Sequence, residues 1–412
     1  MKTTTGSLGA AVLLLSVLVA VPVGAEIVHE PGDKSRGYEA FLDFTMEGGV
    51  DELEAAVGAL GESSFLAVEQ AQAAGRRGDE GRMVERALRA VELDSDNIEA
   101  HGGARYAPED IVVTPGGQQA MFIIALGLLD PGDELLIPCP GYNPYIQAAE
   151  LTEATLVNIR TTRETNFTLT AELVRAHITP RSKVLILINP GNPTGTVIPP
   201  DEVARICEVA REHDLIVVSD EIYARLTYDG HVAQPVAALP GMKERTITLS
   251  GVSKAYAMTG WRVGYFAGPR DIIPALAEIH HAFAISTSAG GQHAALAALT
   301  GPQECVGEMR DIYDERRQAL CDGLTEMGIP FAEPQGAFYV YAKVAEIGVP
   351  ATEFCERLLA DGRVMIFPGK IYGDYTDDYA RMSLTQSVPR IHEALARMAE
   401  VVATIRGERS AA

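Results

Sequence analysis

Cysteine is scarce in this chain of 412 residues, and its few positions form no pattern. The five residues are Cys139, Cys207, Cys305, Cys321 and Cys355. An odd and scattered set is not the framework of a small disulfide-stabilised domain. The histidines His280, His281 and His293 have no cysteine or carboxylate at the spacing of a zinc site, so we predict no metal centre.

Positive charge is also scarce. Lysine and arginine together number 34, against 56 aspartates and glutamates, which gives a formal net charge of −22. A surface this acidic repels nucleic acids and anionic lipids, so neither is expected as a partner. Apolar residues at 47% and charged residues at 22% are typical of a globular protein, and the length allows two or three domains.

What the chain does contain is a lysine set among small residues. Lys254 and Arg262 both lie in the run Leu249-Ser-Gly-Val-Ser-Lys-Ala-Tyr-Ala-Met-Thr-Gly-Trp-Arg-Val-Gly-Tyr265. Small neighbours let backbone and hydroxyl groups close around a phosphate, and a guanidinium fork matches two phosphate oxygens. A lysine amine becomes a nucleophile toward aldehydes once it has lost a proton. The run therefore indicates a site for a phosphorylated aldehyde.

Two upstream segments strengthen this interpretation. The apolar run Val184-Leu-Ile-Leu-Ile188 leads into Asn189-Pro-Gly-Asn-Pro-Thr-Gly195, and Leu215-Ile-Val-Val-Ser-Asp-Glu-Ile-Tyr223 ends in an acid and a tyrosine. Unbroken Val/Ile/Leu runs are typical of buried parallel strands, and a Pro/Gly/Asn cluster behind one predicts a tight turn. Ligands of open α/β sheets bind outside the carboxyl ends of the strands. Asn192, Asp220, Tyr223 and Lys254 are all predicted to lie at such ends.

The wider pattern predicts an α/β fold with a mainly parallel sheet and helices on both faces. Helical stretches such as 200–213 alternate with the predicted strands, a long helix is predicted near 306–327, and a last one over 391–405. The strands are predicted near residues 111–114, 134–138, 153–159, 183–188, 215–219, 246–249 and 263–267.

In these motifs, over roughly residues 104–405, the chain resembles the class I/II aminotransferases, which are pyridoxal-phosphate enzymes of fold type I. The resemblance implies a three-layer αβα large domain over 104–305 and a smaller C-terminal α+β domain over 306–412. It implies that Lys254 forms the Schiff base with pyridoxal 5'-phosphate and moves the substrate proton. Asp220 would pair with the pyridine nitrogen, Tyr223 and Asn192 would contact the ring oxygen, and Arg262 would hold the phosphate.

Further site residues follow from the same resemblance. Gly116, Gly117 and Gln118 precede a predicted helix, whose first N–H groups can bind an anion. Tyr142 matches the aromatic residue that stacks on the cofactor ring, although an ordinary core position is its alternative. Ser250 and Ser253 either bind the phosphate or cap the turn. Arg381, in Tyr379-Ala-Arg-Met-Ser383, matches the arginine that binds the substrate carboxylate, and the segment Pro334-Gln-Gly-Ala-Phe-Tyr339 borders the site.

The N-terminal quarter departs from the family pattern. Residues 1–25 predict a secretory signal peptide, because Lys2 precedes an apolar stretch over 10–20 and small residues at 23–25. That stretch is short for a stable membrane span. Export is therefore one expectation, and a cytoplasmic location is the alternative that the family suggests. Residues 26–103 predict a helical segment with one tetratricopeptide-like hairpin near 64–97, which either binds a partner or packs on the catalytic domain as an arm.

We therefore predict a pyridoxal-phosphate-dependent aminotransferase that moves an amino group from an L-amino acid to a 2-oxo acid. The resemblance further implies a homodimer. Two alternatives stay open at this point. One is a lyase or decarboxylase of the same fold, because the cofactor contacts leave open which bond breaks. The other is a catalytically impaired binding protein that combines a helical repeat with this fold.

Overall fold

The computed structural model describes residues 106–411. The predicted signal peptide over 1–25 and the helical segment over 26–103, with its hairpin near 64–97, lie outside the described residues. The elements within the described range form a larger lobe around a seven-stranded sheet and a smaller lobe around a three-stranded sheet.

The seven strands of the larger sheet lie in the order β1-β7-β6-β5-β4-β2-β3. Strand β7 is antiparallel to both of its neighbours, and the remaining strands run parallel to one another. The mainly parallel sheet predicted from the sequence is thus confirmed. The strands are β1 (Ile111–Thr114), β2 (Glu134–Cys139), β3 (Thr155–Arg160), β4 (Ser182–Ile188), β5 (Ile216–Asp220), β6 (Thr246–Gly251) and β7 (Gly264–Ala267).

Helices cover both faces of this sheet, as β4 illustrates. Its side chains alternate, so that Val184, Ile186 and Ile188 belong to one core, and Leu185 and Leu187 to the other. This alternation follows from the period of two along a strand, and it explains why every residue of the run is apolar. The first core also contains residues of α1 (Gly117–Leu128), α2 (Asn143–Leu151) and α5 (Ile273–Ala284), and the second contains residues of α3 (Ala171–His177) and α4 (Pro200–Glu212).

The smaller lobe is built on antiparallel strands in the order β8-β10-β9. It is reached through α6 (Ala289–Thr300) and the long α7 (Glu304–Glu326). Its core includes apolar residues of α7, β8 and the last two helices, together with Tyr223 of the larger lobe. The other elements are β8 (Tyr339–Ala342), α8 (Ala351–Ala360), β9 (Phe367–Pro368), β10 (Ala380–Ser383) and α9 (Val388–Ala411).

Backbone hydrogen bonds join the two lobes beside the predicted site. The N–H groups of Gln335 and Gly336 both donate to the carbonyl of Gly195, at 2.8 Å each. Gly195 has a φ of +71°, and a Cβ there would lie 2.6 Å from the carbonyl oxygen of Tyr339. Glycine is therefore required at this position both by its conformation and by the close approach of the smaller lobe.

Over the described range, no helix is long and apolar enough to cross a membrane. The same residues contain no group of three or more His, Cys, Asp and Glu side chains arranged to hold a metal ion.

Candidate active site

The site lies at the carboxyl edge of the larger sheet, where strand register aligns its parts. Asp220, the last residue of β5, pairs with Ile188 on one side and Leu249 on the other. The residues that follow β4 and β6 therefore lie beside Asp220 at the same edge of the sheet. The backbone N–H of Asn189 donates to the carbonyl of Asp220 at 3.1 Å and closes this edge. Asn192 and Lys254 belong to those two following segments, as predicted.

Asp220 is a buried carboxylate with two hydrogen-bond donors. Its Oδ1 accepts from the backbone N–H of Ile222 at 3.2 Å, and its Oδ2 accepts from the Tyr145 hydroxyl at 3.0 Å. Burial raises the pKa of Asp220 to about 6, although these two donors and the charge of Lys254 oppose the shift. In the described part of the chain, no cationic side chain lies within ion-pair distance of it. The site therefore fits a ligand that brings a positive charge to Asp220.

Lys254 lies among aromatic rings at this edge. Its Nζ is 5.7 Å from the centre of the Tyr223 ring and 5.3 Å from that of Phe338. The hydroxyl groups of Tyr223 and Tyr339 are 2.9 Å apart. Burial and the neighbouring Tyr339 hold the pKa of Tyr223 well above its usual value, so this phenol is a neutral hydrogen-bonding group.

Arg381 approaches the same space from β10 of the smaller lobe. Its Nη1 donates to Oδ1 of Asn192 at 3.1 Å. The guanidinium lies over the rings of Tyr339, Tyr372 and Phe367, at 4.4, 5.0 and 5.3 Å from their centres. Among residues 106–411, its buried Nε finds no hydrogen-bond partner. An unpartnered, buried donor on an arginine that is held by its other atoms fits a carboxylate ligand.

A second anion site is formed where α1 begins. The Arg262 side chain donates to the carbonyl of Thr259 at 3.1 Å and lies against Gly116, where a Cβ would collide with the guanidinium. Gly116 has a φ of +85°, and α1 starts at the next residue, Gly117, with Gln118 exposed in its first turn. Free N–H groups of a helix start beside an arginine are suited to a phosphate. The structure therefore brings these predicted residues together.

The remaining predicted residues surround these groups. Tyr142 lies immediately before α2. Burial raises its pKa to about 12, and its hydroxyl interacts electrostatically with Asp220, Arg381 and Arg262. Ser253 is buried one residue before Lys254, and Ser250 is half-buried on β6 opposite Tyr265. A phosphate-binding role for either serine stays a prediction.

Sequence reasoning assigned no role to Tyr145, Phe338 or Tyr339. Tyr145 could have been found from its spacing, since it follows Tyr142 by three residues at the start of a helix and such residues share a face. Phe338 and Tyr339 lie in the segment 334–339 that was predicted to border the site. Their contacts with Lys254 and Tyr223 arise only when the smaller lobe packs on the larger.

Comparison with known proteins identifies the family. A family model described as aminotransferase class I and II matches residues 71–398. An aspartate aminotransferase of Musicola paradisiaca is 39% identical over 296 residues, or 71% of this chain and 74% of that protein. One of Pyrococcus abyssi is 36% identical over 309 residues, or 74% and 78%. Among solved structures, an aromatic aminotransferase of Pyrococcus horikoshii has a TM-score of 0.77 at 32% identity, covering 82% of this chain and 92% of that one.

These findings confirm the predicted fold type I architecture and favour amino transfer over the lyase, decarboxylase and impaired binding-protein alternatives. Enzymes of this family generally depend on pyridoxal phosphate, use amino acids and 2-oxo acids, and are commonly dimeric. The chain belongs to the class I and II aminotransferases, and it is an enzyme that transfers an amino group between an amino acid and a 2-oxo acid.

Proposed function

We propose that this enzyme transfers the amino group of an L-amino acid to a 2-oxo acid with pyridoxal 5'-phosphate attached to Lys254. The observation that carries the proposal is the meeting of three groups at one sheet edge. They are a lysine among aromatic rings, a buried acid without a cationic partner in the described range, and an arginine with an unpartnered Nε. No single one of them would identify the cofactor, but each fits a different part of it or of the substrate.

The residues divide between the parts of the cofactor. Asp220 would hold the proton of the pyridine nitrogen, and Tyr142 would face the ring. Asn192 and Tyr223 would form hydrogen bonds with the ring oxygen. Gly116, Gly117, Gln118 and Arg262 would bind the phosphate, with Ser250 and Ser253 beside them. When bound, the protonated ring supplies an electron sink for the electron pair that is released at the substrate Cα.

The proton transfers then fall to Lys254. Its Nζ, left as a free neutral amine once the amino group of the substrate has taken its place on the cofactor, would accept the proton from Cα and later donate it on the way to the 2-oxo acid. The rings of Tyr223 and Phe338 lie within 6 Å of this nitrogen and place apolar surfaces beside it. Apolar surroundings would favour return of the proton to the substrate over its loss to solvent.

The experiment that tests the proposal is a spectroscopic titration of the purified protein. Protein loaded with pyridoxal phosphate should absorb at about 420 nm, as lysine-attached pyridoxal generally does. Addition of an L-amino acid without a 2-oxo acid should remove this band, with one amino acid consumed per molecule of enzyme. Addition of a 2-oxo acid should then restore the band. A panel should include aspartate and aromatic amino acids, since relatives with both names are similar to this chain.

The outcomes of this titration separate the alternatives. A lyase or decarboxylase would consume the amino acid through many turnovers without a 2-oxo acid and would keep the band. Protein that takes up no cofactor at any concentration would contradict the proposal. In that case the residues gathered around Lys254 would need another explanation.

Arg381 gives a separate test of substrate binding. We expect Arg381→Lys to raise the KM for amino acids about 10- to 100-fold and to change kcat less, because a lysine cannot form the two parallel bonds of a guanidinium. The carboxylate is bound similarly before and during the reaction, which places the loss mainly in KM. Steady-state kinetics of amino acids and of the corresponding amines would measure it.

Arg357→Lys is the matched control. Arg357 is also in the smaller lobe and pairs with Glu408 on the surface, at 2.8 Å. That variant should have the kinetics of the wild type. Equal loss for an amine, which has no carboxylate, and for its amino acid would show that Arg381 does not bind the carboxylate.

A further inference from the structure

We propose that Tyr145 is a positioning residue that keeps Asp220 ionised and fixes the direction in which it faces the cofactor. This inference rests on the proposed function and assigns a role to a residue that does not itself touch the cofactor or the substrate. It is carried by the hydrogen bond between the Tyr145 hydroxyl and Oδ2 of Asp220, at 3.0 Å.

The direction of this hydrogen bond follows from the chemistry of the two groups. Burial holds the pKa of the Tyr145 phenol well above its usual value, and the adjacent charge of Asp220 raises it further. The phenol therefore keeps its proton and donates it to the carboxylate. A donor of this kind stabilises the charged form of an acid, whereas the burial of Asp220 favours the neutral form.

The same contact fixes the orientation of the carboxylate. Oδ1 is held by the Ile222 N–H, and Oδ2 by the Tyr145 hydroxyl. Two donors at the two oxygens fix the rotation of the carboxyl plane, and each oxygen keeps a lone pair for a further partner. Hydrogen bonds to charged groups contribute more than neutral ones, so loss of one donor affects both the charge and the direction.

Tyr145 itself is held rigidly. Its side chain is only 3% exposed and belongs to the core between the sheet and α1. It lies in the first turn of α2, three residues after Tyr142, which immediately precedes the helix. If the hydroxyl were simply a buried polar group satisfied by the nearest acceptor, its removal would change stability but not the acid–base behaviour of the site.

The test is Tyr145→Phe, which removes the hydroxyl and keeps the ring. We expect the dissociation constant of pyridoxal phosphate to increase about 10- to 100-fold, as measured by equilibrium absorbance and fluorescence titration at about pH 7.5. Without the donor, the pKa of Asp220 rises. The loss of cofactor affinity on acidification should therefore begin about one pH unit higher than in the wild type.

Two further variants make the result specific. Tyr228→Phe removes another buried hydroxyl, one that donates to the carbonyl of Ala337, and it should leave the pH dependence of cofactor binding unchanged. In an Asp220→Asn background, Tyr145→Phe should weaken binding by less than about threefold, because residues that act through one another are not additive. Full additivity of the two substitutions would overturn the inference.

The remaining outcomes are also decisive. Unchanged affinity and pH dependence in Tyr145→Phe, with cofactor binding intact in the wild type, would overturn the role of Tyr145 and leave the proposed function standing. Failure of the wild type to bind the cofactor would overturn both. Thermal unfolding of each cofactor-free variant identifies misfolded protein. If Tyr145→Phe is misfolded, Tyr145→Leu, which also lacks the hydroxyl and adds no volume to the core, is titrated in the same way, and unchanged affinity and pH dependence there would likewise overturn the role of Tyr145.

Discussion

Replacement of Lys254 by alanine is expected to abolish the covalent attachment of pyridoxal phosphate and to lower turnover about 10⁴-fold or more. A positioned general base typically contributes up to about 10⁴-fold, and Lys254 would also serve as the attaching amine. The surrounding residues of the site remain, so we expect the cofactor still to bind without a covalent bond. The measurement combines the absorbance at about 420 nm, mass spectrometry after borohydride reduction, and single-turnover rates.

Lys183→Ala is the matched control for this substitution. Lys183 lies at the opposite end of β4 and pairs with Asp133 at 2.6 Å, away from the carboxyl edge. It should keep the absorbance band and the turnover of the wild type. A small amine added to Lys254→Ala should restore part of the activity, because it can move the proton that Nζ no longer moves. Full turnover without any added amine would contradict the assigned role.

The sequence was sufficient for the strands of the larger lobe. The run from Val184 to Ile188 is apolar throughout because its alternating residues belong to two different cores. An unbroken apolar run therefore indicates a strand that is buried on both faces. Asp220 and Asn192 were placed at the correct edge because polar residues that follow such runs lie at the ends of parallel strands. The long α7 and the final α9 are likewise predicted, although α7 begins two residues earlier and ends one residue earlier than expected, and α9 extends beyond its predicted range at both ends.

The contacts between these residues could not be predicted in the same way. Tyr145 and Asp220 are separated by 75 positions, and Asn192 and Arg381 by 189. Such hydrogen bonds depend on strand register and on how the lobes pack, neither of which is encoded in local periodicity. The resemblance supplied roles for individual residues, but it gave no indication that Tyr339 connects the Tyr223 hydroxyl with the Arg381 guanidinium.

Asp220→Asn is the second substitution with a large expected effect. We expect it to lower turnover about 10²- to 10⁴-fold, because an amide cannot balance the charge of a protonated ring nitrogen. Removal of one partner from a buried ion pair typically costs about 3–5 kcal/mol, which corresponds to this range of rates. The side chain keeps its shape, so cofactor attachment through Lys254 should persist. The loss should therefore appear in the rate of Cα–H cleavage, measured with deuterated amino acids.

For the same variant we expect a gain in stability rather than a loss. Burial raises the pKa of Asp220 to about 6, above its ordinary value of 3.8, so the cofactor-free protein takes up a proton on folding at pH values between these two. The stabilisation from this proton is present at acidic pH and is lost as the pH rises through about 6, because a charged carboxylate must then stay buried. The free energy of unfolding of the cofactor-free Asp220→Asn variant should thus exceed that of the wild type by up to roughly 3 kcal/mol at about pH 8, with a higher unfolding temperature, and should nearly equal it at about pH 4.

Asp133→Asn makes the same chemical change where the pKa is shifted in the other direction. The hydrogen bond from Lys183 lowers the pKa of Asp133, so its charged form stabilises the fold, and this variant should lose stability at neutral pH. A gain at position 220 beside a loss at position 133 would show that the enzyme retains an unfavourable buried charge at one strand end because its reaction requires it there. If Asp220→Asn instead lowered stability at every pH, the carboxylate would be a structural group. Its place beside Tyr145 would then have to be explained by folding rather than by catalysis.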